Sequence, residues 1–542
     1  MTVESKADLL ARLDTLTPQE LKRYLAQELT RKKLGLVWET DLIERDQAIN
    51  ANIVLPVLSP AISEISADAP GVTPNLVIEG DNFDALRLLR ATHTGKVRVT
   101  LIDIPYGTGN KDWVYNDSFQ SKNDRWRYST WLEFMYQRLI LARDLMTPDG
   151  VLMVCINDEN RSKLELMMDE VLPGRRLGSL TWRTRQGSND TKHGYLSGDH
   201  EHILVYANPG FRFHGYEKSF AMYSNPDNDP RGPWRISDIT CSKNHEERPN
   251  LYYPLIDPKT GIHYAPNPDS VWRYQPSTME NYLSLNQIAF PGESQQVRVW
   301  DTLPELLKDI DAGEVPKSNG KPLLRSDLPN LEQWVGVPVG FNRPQFKRYQ
   351  ADLKETHQPL SSWIVPRFEQ DEYESPGSFV SGTNHEGASA ISALFGRRVF
   401  NYTKPLSLIK ELLAQSTGPN DIVLDFFAGS GTTAHAVMEL NAEDGGSRTF
   451  IMCSSTEATA KEPDKNLCRD VCAERIRKVI QGYGKAPGLG GEFAYLTMDL
   501  VEEADLLLDA TKEHAYNILC MRYGGGVRPV DSTAPRLAGC YW

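Results

Sequence analysis

Short apolar runs and longer amphipathic stretches alternate along two separate parts of this chain. Between residues 75 and 208, the runs NLVIEG, VRVTLIDI, GVLMVCIND and HILVYA are interleaved with DALRLLRATH, TWLEFMYQRLILARDLM and KLELMMDEVL. Apolar runs of four to eight residues suit strands covered on both faces. Stretches with apolar positions three and four apart suit helices lying on such a sheet. The alternation therefore predicts a doubly wound parallel α/β sheet. The pattern resumes with KPLSLIKELLAQ, DIVLDFFAGSGTTAHAVMEL, RTFIMCSS and a closing helix around CAERIRKVIQGY.

The region between these halves is rich in Pro, Asn, Trp and Tyr, shows no sustained period, and predicts an inserted domain. The opening stretches LLARLDTL and LKRYLAQELTRKK have helical spacing, and VLPVLSPAISEISADAPGVTPN reads as a Pro-bearing separator. Near the end, MDLVEEADLLLDAT reads as a terminal core helix, with a docking helix as the alternative. The expected division is a helical segment and linker at 1–70, the first half of the α/β domain at 71–212, the insertion at 213–390, the second half at 391–487 and a C-terminal segment at 488–542.

Composition narrows the class. With 40% hydrophobic and 24% charged residues among 542, the chain is folded and not disordered. It has no apolar run long enough for a membrane span and no signal-peptide pattern at its start, so a cytoplasmic location is expected. The seven cysteines include no CxxC pair and no zinc-like cluster, so reduced thiols and no metal are expected. The net charge of −13 weighs mildly against nucleic acid, but a local basic surface decides that question. Candidates are the run Arg175, Arg176, Arg183, Arg185 and Lys192, and the interleaved Arg231, Trp234, Arg235, Trp272, Arg273 and Tyr274 of the insertion. A solvated charged face and ordinary packing are the respective alternatives.

The sharpest chemical signal is VTLIDIPYGTGN, a strand that stops at Asp103, Ile104, Pro105 and Tyr106 before a Gly-rich loop. Ligands of open α/β sheets bind at the carboxyl ends of strands. An aromatic amino nitrogen is a poor nucleophile because its lone pair is delocalised into the ring. Two acceptors aimed at its two hydrogens localise that pair and stabilise the positive charge that develops in attack. The Asp103 carboxylate supplies one and the Ile104 carbonyl the other. Pro105 restrains Ile104 to an extended conformation, and Tyr106 offers a ring against which an extruded base can stack. The alternative is an ordinary strand exit with Asp103 capping a turn.

The second signal, DIVLDFFAGSGTTAHAV, runs a strand into Asp425, Phe427, Gly429, Ser430 and Gly431 and opens a helix at Thr432. Such a turn brings backbone close to a ligand and offers helix N–H groups to a carboxylate. No GK[ST] motif comes after it, which argues against a P-loop. Glu457, after the next strand, could accept from ribose hydroxyls or be a solvated loop carboxylate. Asp81 and Asn82 could read an adenine edge or cap the helix that begins beside them.

These motifs, in this order, resemble the beta class of DNA amino-methyltransferases, and most closely the modification (Mod) subunit of type III restriction systems. GLVWET, IEGDNFDALRLL, INDEN, HEHILVYA, FNYTKPLSLIKELL and NLCRDVCAERI extend the resemblance from about residue 35 to about residue 483. It implies a Rossmann-like class I S-adenosylmethionine-dependent methyltransferase fold, circularly permuted, with the catalytic half before the cofactor half and a target recognition domain inserted. By the resemblance, Asp103, Ile104, Pro105 and Tyr106 carry catalysis on adenine N6. Asp81, Asn82, Asp103, Lys404, Asp425, Phe427, Gly429, Ser430, Gly431, Thr432 and Glu457 hold S-adenosylmethionine, with Lys404 over its methionine end. Implied partners are double-stranded DNA with a flipped base, a second copy of the chain, and a helicase-nuclease (Res-type) or other defence-system subunit. Two departures stand out: the family usually has Pro at the position of Ile104, and often Asn at that of Gly107. Ribosomal RNA adenine dimethylases resemble the first variant, so activity is expected to survive it. A silent DNA-specificity subunit, or action on cytosine N4 or RNA, are the competing readings.

Overall fold

The computed structural model describes Thr17 and residues 52–65, 75–107, 127–188, 196–291, 295–353, 355–372, 377–459, 462–524 and 526–529. The helices expected before residue 35 and Lys192 lie outside these residues. The chain divides into two compact units: Met1–Tyr216 with Pro359–Trp542, and Glu217–Gln358.

The first unit is built on an 11-stranded sheet. Its strands are β1 (Asn52–Leu58), β2 (Asn75–Glu79), β3 (Val97–Asp103), β4 (Met146–Ile156), β5 (Arg176–Arg183), β6 (His200–Ala207), β7 (Trp363–Pro366), β8 (Val380–Ser381), β9 (Ile422–Asp425), β10 (Thr449–Ser454) and β11 (Phe493–Glu502). They lie in the order β1-β11-β2-β10-β9-β3-β4-β6-β5-β7-β8. From β11 through β4 every pairing is parallel. The expectation of a purely parallel sheet needs correction, because β6 runs antiparallel to both β4 and β5. Among the described residues no helix lies between β5 and β6, and the chain reverses between them.

Helices cover both faces, as the continuous apolar runs require. On one face lie α1 (Asn82–His93), α2 (Arg127–Leu145) and α3 (Asp158–Val171). They bury Leu86, Leu89, Met135, Leu139, Leu164 and Met168 against Ile102, Leu152, Val154 and Leu424. The other face carries α4 (Asn384–Phe395), α5 (Leu406–Ser416), α6 (Thr432–Asp444) and α7 (Glu474–Gln481). There Leu408, Leu412, Val437 and Ile476 meet Val99, Leu101, Met153 and Val423. Alternate residues of one strand thus feed two cores, each side chain contributing roughly 1.5–3 kcal/mol by its burial.

Three boundaries differ from expectation. The Pro-bearing separator contains β1, whose Pro56 sits on an edge strand opposite Met498, where its missing N–H costs little. The C-terminal segment supplies β11, which takes up Met498–Glu502 of the expected terminal helix; the rest of that stretch forms the short helix Leu506–Asp509, with Leu507 and Leu508 exposed and not in a core. Apolar residues at 496, 500 and 501 fit either period, and pairing with β1 and β2 decides for strand. Residues 359–390 are assigned by sequence to the insertion, but β7 and β8 pair alongside β5 in the main sheet, so the compact inserted unit ends at Gln358.

That second unit is a set of short strands in small four- and three-stranded sheets, with helices at Pro276–Ser284 and Leu303–Ala312. Two aromatic-rich clusters hold it, one around Trp300 and Trp334 and one around Tyr264 and Trp272.

Candidate active site

From β3 the chain crosses through α2 to β4, and from β9 it crosses through α6 to β10, in the opposite direction along the sheet. Because β3 and β9 are neighbours, their carboxyl ends flank a topological switch point, where a crevice opens without obstruction from either crossover. A cavity of about 910 Å³ lies there, lined by Asp103–Tyr106 and Glu201 at one end and by Phe427–Ser430, Thr432, Thr433 and Glu457 at the other. The two sequence motifs therefore share one cleft, although the inserted unit separates them along the chain.

At the first end four side chains from distant stretches form a charged cluster. Lys404, just before α5, places Nζ 2.8 Å from Asp103 Oδ1 and 2.9 Å from Oδ2. It also donates to the Tyr106 hydroxyl at 2.9 Å and lies 3.3 Å from Glu201 Oε2. The Tyr106 hydroxyl is 2.8 Å from Glu201 Oε2 and 3.1 Å from Asp103 Oδ1. Burial raises the Asp103 pKa, Glu201 adds to the rise, and the Lys404 ammonium opposes it. Burial disfavours the Lys404 charge, but Asp103 and Glu201 outweigh it, so Lys404 stays protonated. Burial, Asp103 and Glu201 raise Tyr106 well above its ordinary value, so it remains a neutral hydroxyl.

The loop that carries these groups is held by its carbonyls. Trp131 of α2 is fully buried and donates Nε1–H to the Pro105 carbonyl at 2.7 Å, and Asn160 of α3 donates to the Tyr106 carbonyl at 2.7 Å. The Ile104 side chain packs in the core, 3% exposed, so this departure from the family pattern fills space without adding a polar group to the cleft.

At the second end the turn is backbone-built. Gly429 and Gly431 have φ of 50° and 76°, a region that disfavours side chains, and a Cβ on Gly431 would meet Cys472 Sγ at 3.2 Å. Asp425 accepts from the Phe427 N–H at 3.1 Å and the Thr433 hydroxyl at 2.6 Å. Burial pushes its pKa up to about 7 against those two bonds, with Asp103 adding to the rise. Glu457 is held at a φ of 51°, uncommon for a residue with a Cβ, and pairs with Lys465 at 2.9 Å.

Asp81, Asn82 and Gly431 do not line this cavity. Asp81 caps α1, accepting from the Phe83 N–H at 2.8 Å, and pairs with buried Arg138 at 2.8 Å. Asn82 donates to the Phe426 carbonyl at 3.1 Å and so supports the glycine turn from behind. Sequence reasoning missed Glu201, whose neighbours His200 and His202 face the opposite side of β6, and Arg475, beneath the glycine turn. HEHILVYA shows Glu201 only as a carboxylate between two histidines at the head of a strand whose later residues are apolar. His200, His202 and Asp158 bring three ligand-type atoms within 4.8 Å of one another, but the Arg161 guanidinium lies 3.0 Å from the His202 ring and supplies the positive charge there.

The basic run is largely paired: Arg176 with Glu165 and Asp169, Arg183 with Glu369, and Arg175 with the Asn208 side chain. Arg185 is intermediate in exposure. Within the inserted unit Arg231 forks onto Asp229 and stacks on Tyr349, Trp272 is fully buried, and Tyr274 packs with Tyr282. Trp234 donates to Asp227, Arg235 lies over Tyr223, and Arg273 is exposed.

Residues 97–462 match a family of N6/N4 methyltransferases described as DNA methylase. The chain is 31% identical over 439 residues to the Mod subunit of the type III restriction-modification enzyme StyLTI of Salmonella typhimurium, covering 75% of this chain and 57% of that one. It is 26% identical over 426 residues to the Mod subunit of the type III enzyme EcoPI of Escherichia phage P1, covering 71% and 58%. Type II methyltransferase M.KpnI of Klebsiella pneumoniae is 25% identical over 400 residues, covering 72% and 82%. The matches to the two Mod subunits span a little over half of their length. Among the described residues no helix is long and apolar enough to cross a membrane, and the six described cysteines are free thiols.

Proposed function

Because this chain belongs to the DNA methylase family, we propose that it transfers a methyl group from S-adenosylmethionine to the N6 amino group of an adenine flipped out of duplex DNA. The observation that carries this reading is the shared cleft, with the Asp103–Tyr106 strand end facing the glycine turn at 429–431. When bound, S-adenosylmethionine supplies an electrophilic methyl group on a sulfonium.

The residues present fit that molecule. Asp103 and Asp425 put two carboxyl groups on a cleft that would face a sulfonium, and the α6 N-terminus with Ser430 and Thr432 suits a carboxylate. Glu457 suits ribose hydroxyls, and Phe427 offers an apolar face. Asn82 acts from outside the cavity through the Phe426 carbonyl, and Asp81 holds Arg138, which in turn bonds to Asn82. Lys404 is assigned to the catalytic end by its contacts, since its ammonium occupies both Asp103 oxygens that an adenine amino group would use. Base entry must therefore displace Lys404, and Glu201 is the acceptor within reach.

In the proposed reaction Asp103 and the Ile104 carbonyl accept from the two amino hydrogens and stabilise the cation that forms on the nitrogen. Trp131 and Asn160 hold the neighbouring carbonyls and so fix the direction of the Ile104 peptide. Tyr106 stacks on the extruded base. The similarity to type III Mod subunits supports a restriction-modification or phage-defence setting. In that setting a homodimer, a target recognition role for Glu217–Gln358 and a helicase-nuclease partner are the arrangements to test.

Incubating the protein with methyl-labelled S-adenosylmethionine and duplex DNA, with nucleoside analysis of the product, tests the reading. Label in N6-methyladenine that vanishes with Asp103→Ala supports it. Label in N4-methylcytosine or in RNA alone, or cofactor binding without transfer, would replace it with another.

A further inference from the structure

Arg475 is a fully buried arginine at the second residue of α7, immediately after the π-helical turn Cys468–Ala473. Its guanidinium donates to Thr432 Oγ1 at 2.7 Å and Ser430 Oγ at 3.3 Å, and approaches His435 Nδ1 at 3.2 Å. Among the described residues no carboxylate lies within 4.0 Å of it, and its Nε–H finds no acceptor. Glu439, the closest acidic influence, is engaged by His435 at 3.5 Å and Lys410 at 3.2 Å. Burial accordingly lowers the Arg475 pKa to about 10.

This placement is unfavourable twice over. An unpaired guanidinium is out of water, and it sits beneath the first turn of α6, where the helix dipole already concentrates positive charge. Both penalties diminish if an anion binds at that helix start, and the cavity reaches Ser430 and Thr432 from the other side.

Hydrogen-bond direction makes the class of anion more specific. A guanidinium can only donate, so both hydroxyl oxygens act as acceptors towards Arg475 and keep their own hydrogens to give. The two oxygens are 3.3 Å apart, and at most one can donate to the other. At least one O–H is therefore left to point elsewhere, and the side not occupied by Arg475 is the cavity. The site presents hydroxyl donors, helix N–H donors and a buried positive charge, which suits a carboxylate and repels an ammonium.

We infer that Arg475 is the buried counter-charge for the carboxylate of the cofactor's amino-acid end, acting through Ser430 and Thr432, and so sets the preference for adenosyl ligands that carry that carboxylate. It touches neither reacting atom and is a positioning residue. The inference rests on the reading that S-adenosylmethionine occupies this cavity.

The test is calorimetric binding of S-adenosylhomocysteine and of 5′-methylthioadenosine, which lacks the amino-acid end, to wild type, Arg475→Met and Arg475→Lys. Wild type should prefer S-adenosylhomocysteine, and Arg475→Met should reduce that preference by roughly ten-fold, the size of one charge-assisted contact. Methylthioadenosine affinity and melting temperature should hold or rise, since an apolar isostere of an unpaired buried charge does not weaken a core. Arg475→Lys, which keeps the charge, should retain part of the preference. An unchanged ligand ratio in Arg475→Met, or an equal loss for both ligands with a lowered melting temperature, overturns the inference. Failure of wild type to bind either ligand overturns the cofactor reading instead.

Discussion

The two ends of the cleft solve opposite problems. The Asp103 end is assembled from three stretches of chain and is internally paired without any ligand: Lys404 sits on Asp103, with Glu201 and Tyr106 closing the cluster. The glycine end is built around the single stretch 425–433, with Arg475 packed beneath it, and leaves charge uncompensated, in the raised Asp425 pKa and in an Arg475 guanidinium with no carboxylate partner among the described residues. A cluster whose groups are paired with one another must be opened before a base can enter, whereas one with an unpaired charge is completed by its ligand. Substitutions at the first end should therefore change turnover, and those at the second should change cofactor binding.

The largest effect expected is at the first end. Asp103→Ala removes a preorganised acceptor from the developing charge and should lower kcat by on the order of 10³. Single-turnover methyl transfer measures this, and calorimetry should show S-adenosylmethionine affinity falling far less, since Asp425 still faces the sulfonium. A comparable loss of affinity would erase the distinction between the ends.

Gly431→Ala attacks the other end. The added Cβ meets Cys472 Sγ at 3.2 Å at a backbone angle of 76°. The strain, about 1–2 kcal/mol, should lower the melting temperature, and cofactor affinity should fall by about ten-fold. Turnover at saturating cofactor should change far less.

Lys404→Met sharpens the comparison through pH. Lys404 lowers an Asp103 pKa that burial has raised. Without it Asp103 takes up a proton at higher pH and stops accepting from the base, so the acid limb of the rate profile should move up. A limb that moves down, or not at all, would detach Lys404 from Asp103.

The smallest effect concerns Asp425, whose pKa is pushed up to about 7. Below that pH it is neutral and attracts a cation less. S-adenosylmethionine affinity should fall by roughly several-fold from pH 8 to pH 6, with proton release on binding, while uncharged-sulfur S-adenosylhomocysteine should vary less. Parallel titrations in buffers of different ionisation enthalpy separate the two.

The same contrast explains how much was legible in the sequence. The α/β alternation and both motifs are local signals, carried by apolar periodicity and by short strings of Gly, Pro, Asp and Phe whose spacing has a backbone meaning. Glu201 and Arg475 carry no such string, because each matters only through partners brought near by sheet pairing and helix packing. Asp81 and Asn82 were visible as polar residues after a strand, but that position serves a helix cap as readily as a ligand, and Arg138 selects the cap. β1 and β11 were obscured because an edge strand tolerates Pro56, and because Met498–Glu502 abut an acidic leucine run of ambiguous period.

If acceptor and methyl donor meet in one cleft, a crystal structure with bound S-adenosylhomocysteine should show the sulfur between Asp103 and the 429–431 turn, the carboxylate at Ser430 and Thr432, and Lys404 still on Asp103 until DNA is added. A ligand seated away from Asp103, or with its carboxylate turned from the α6 N-terminus, would contradict it.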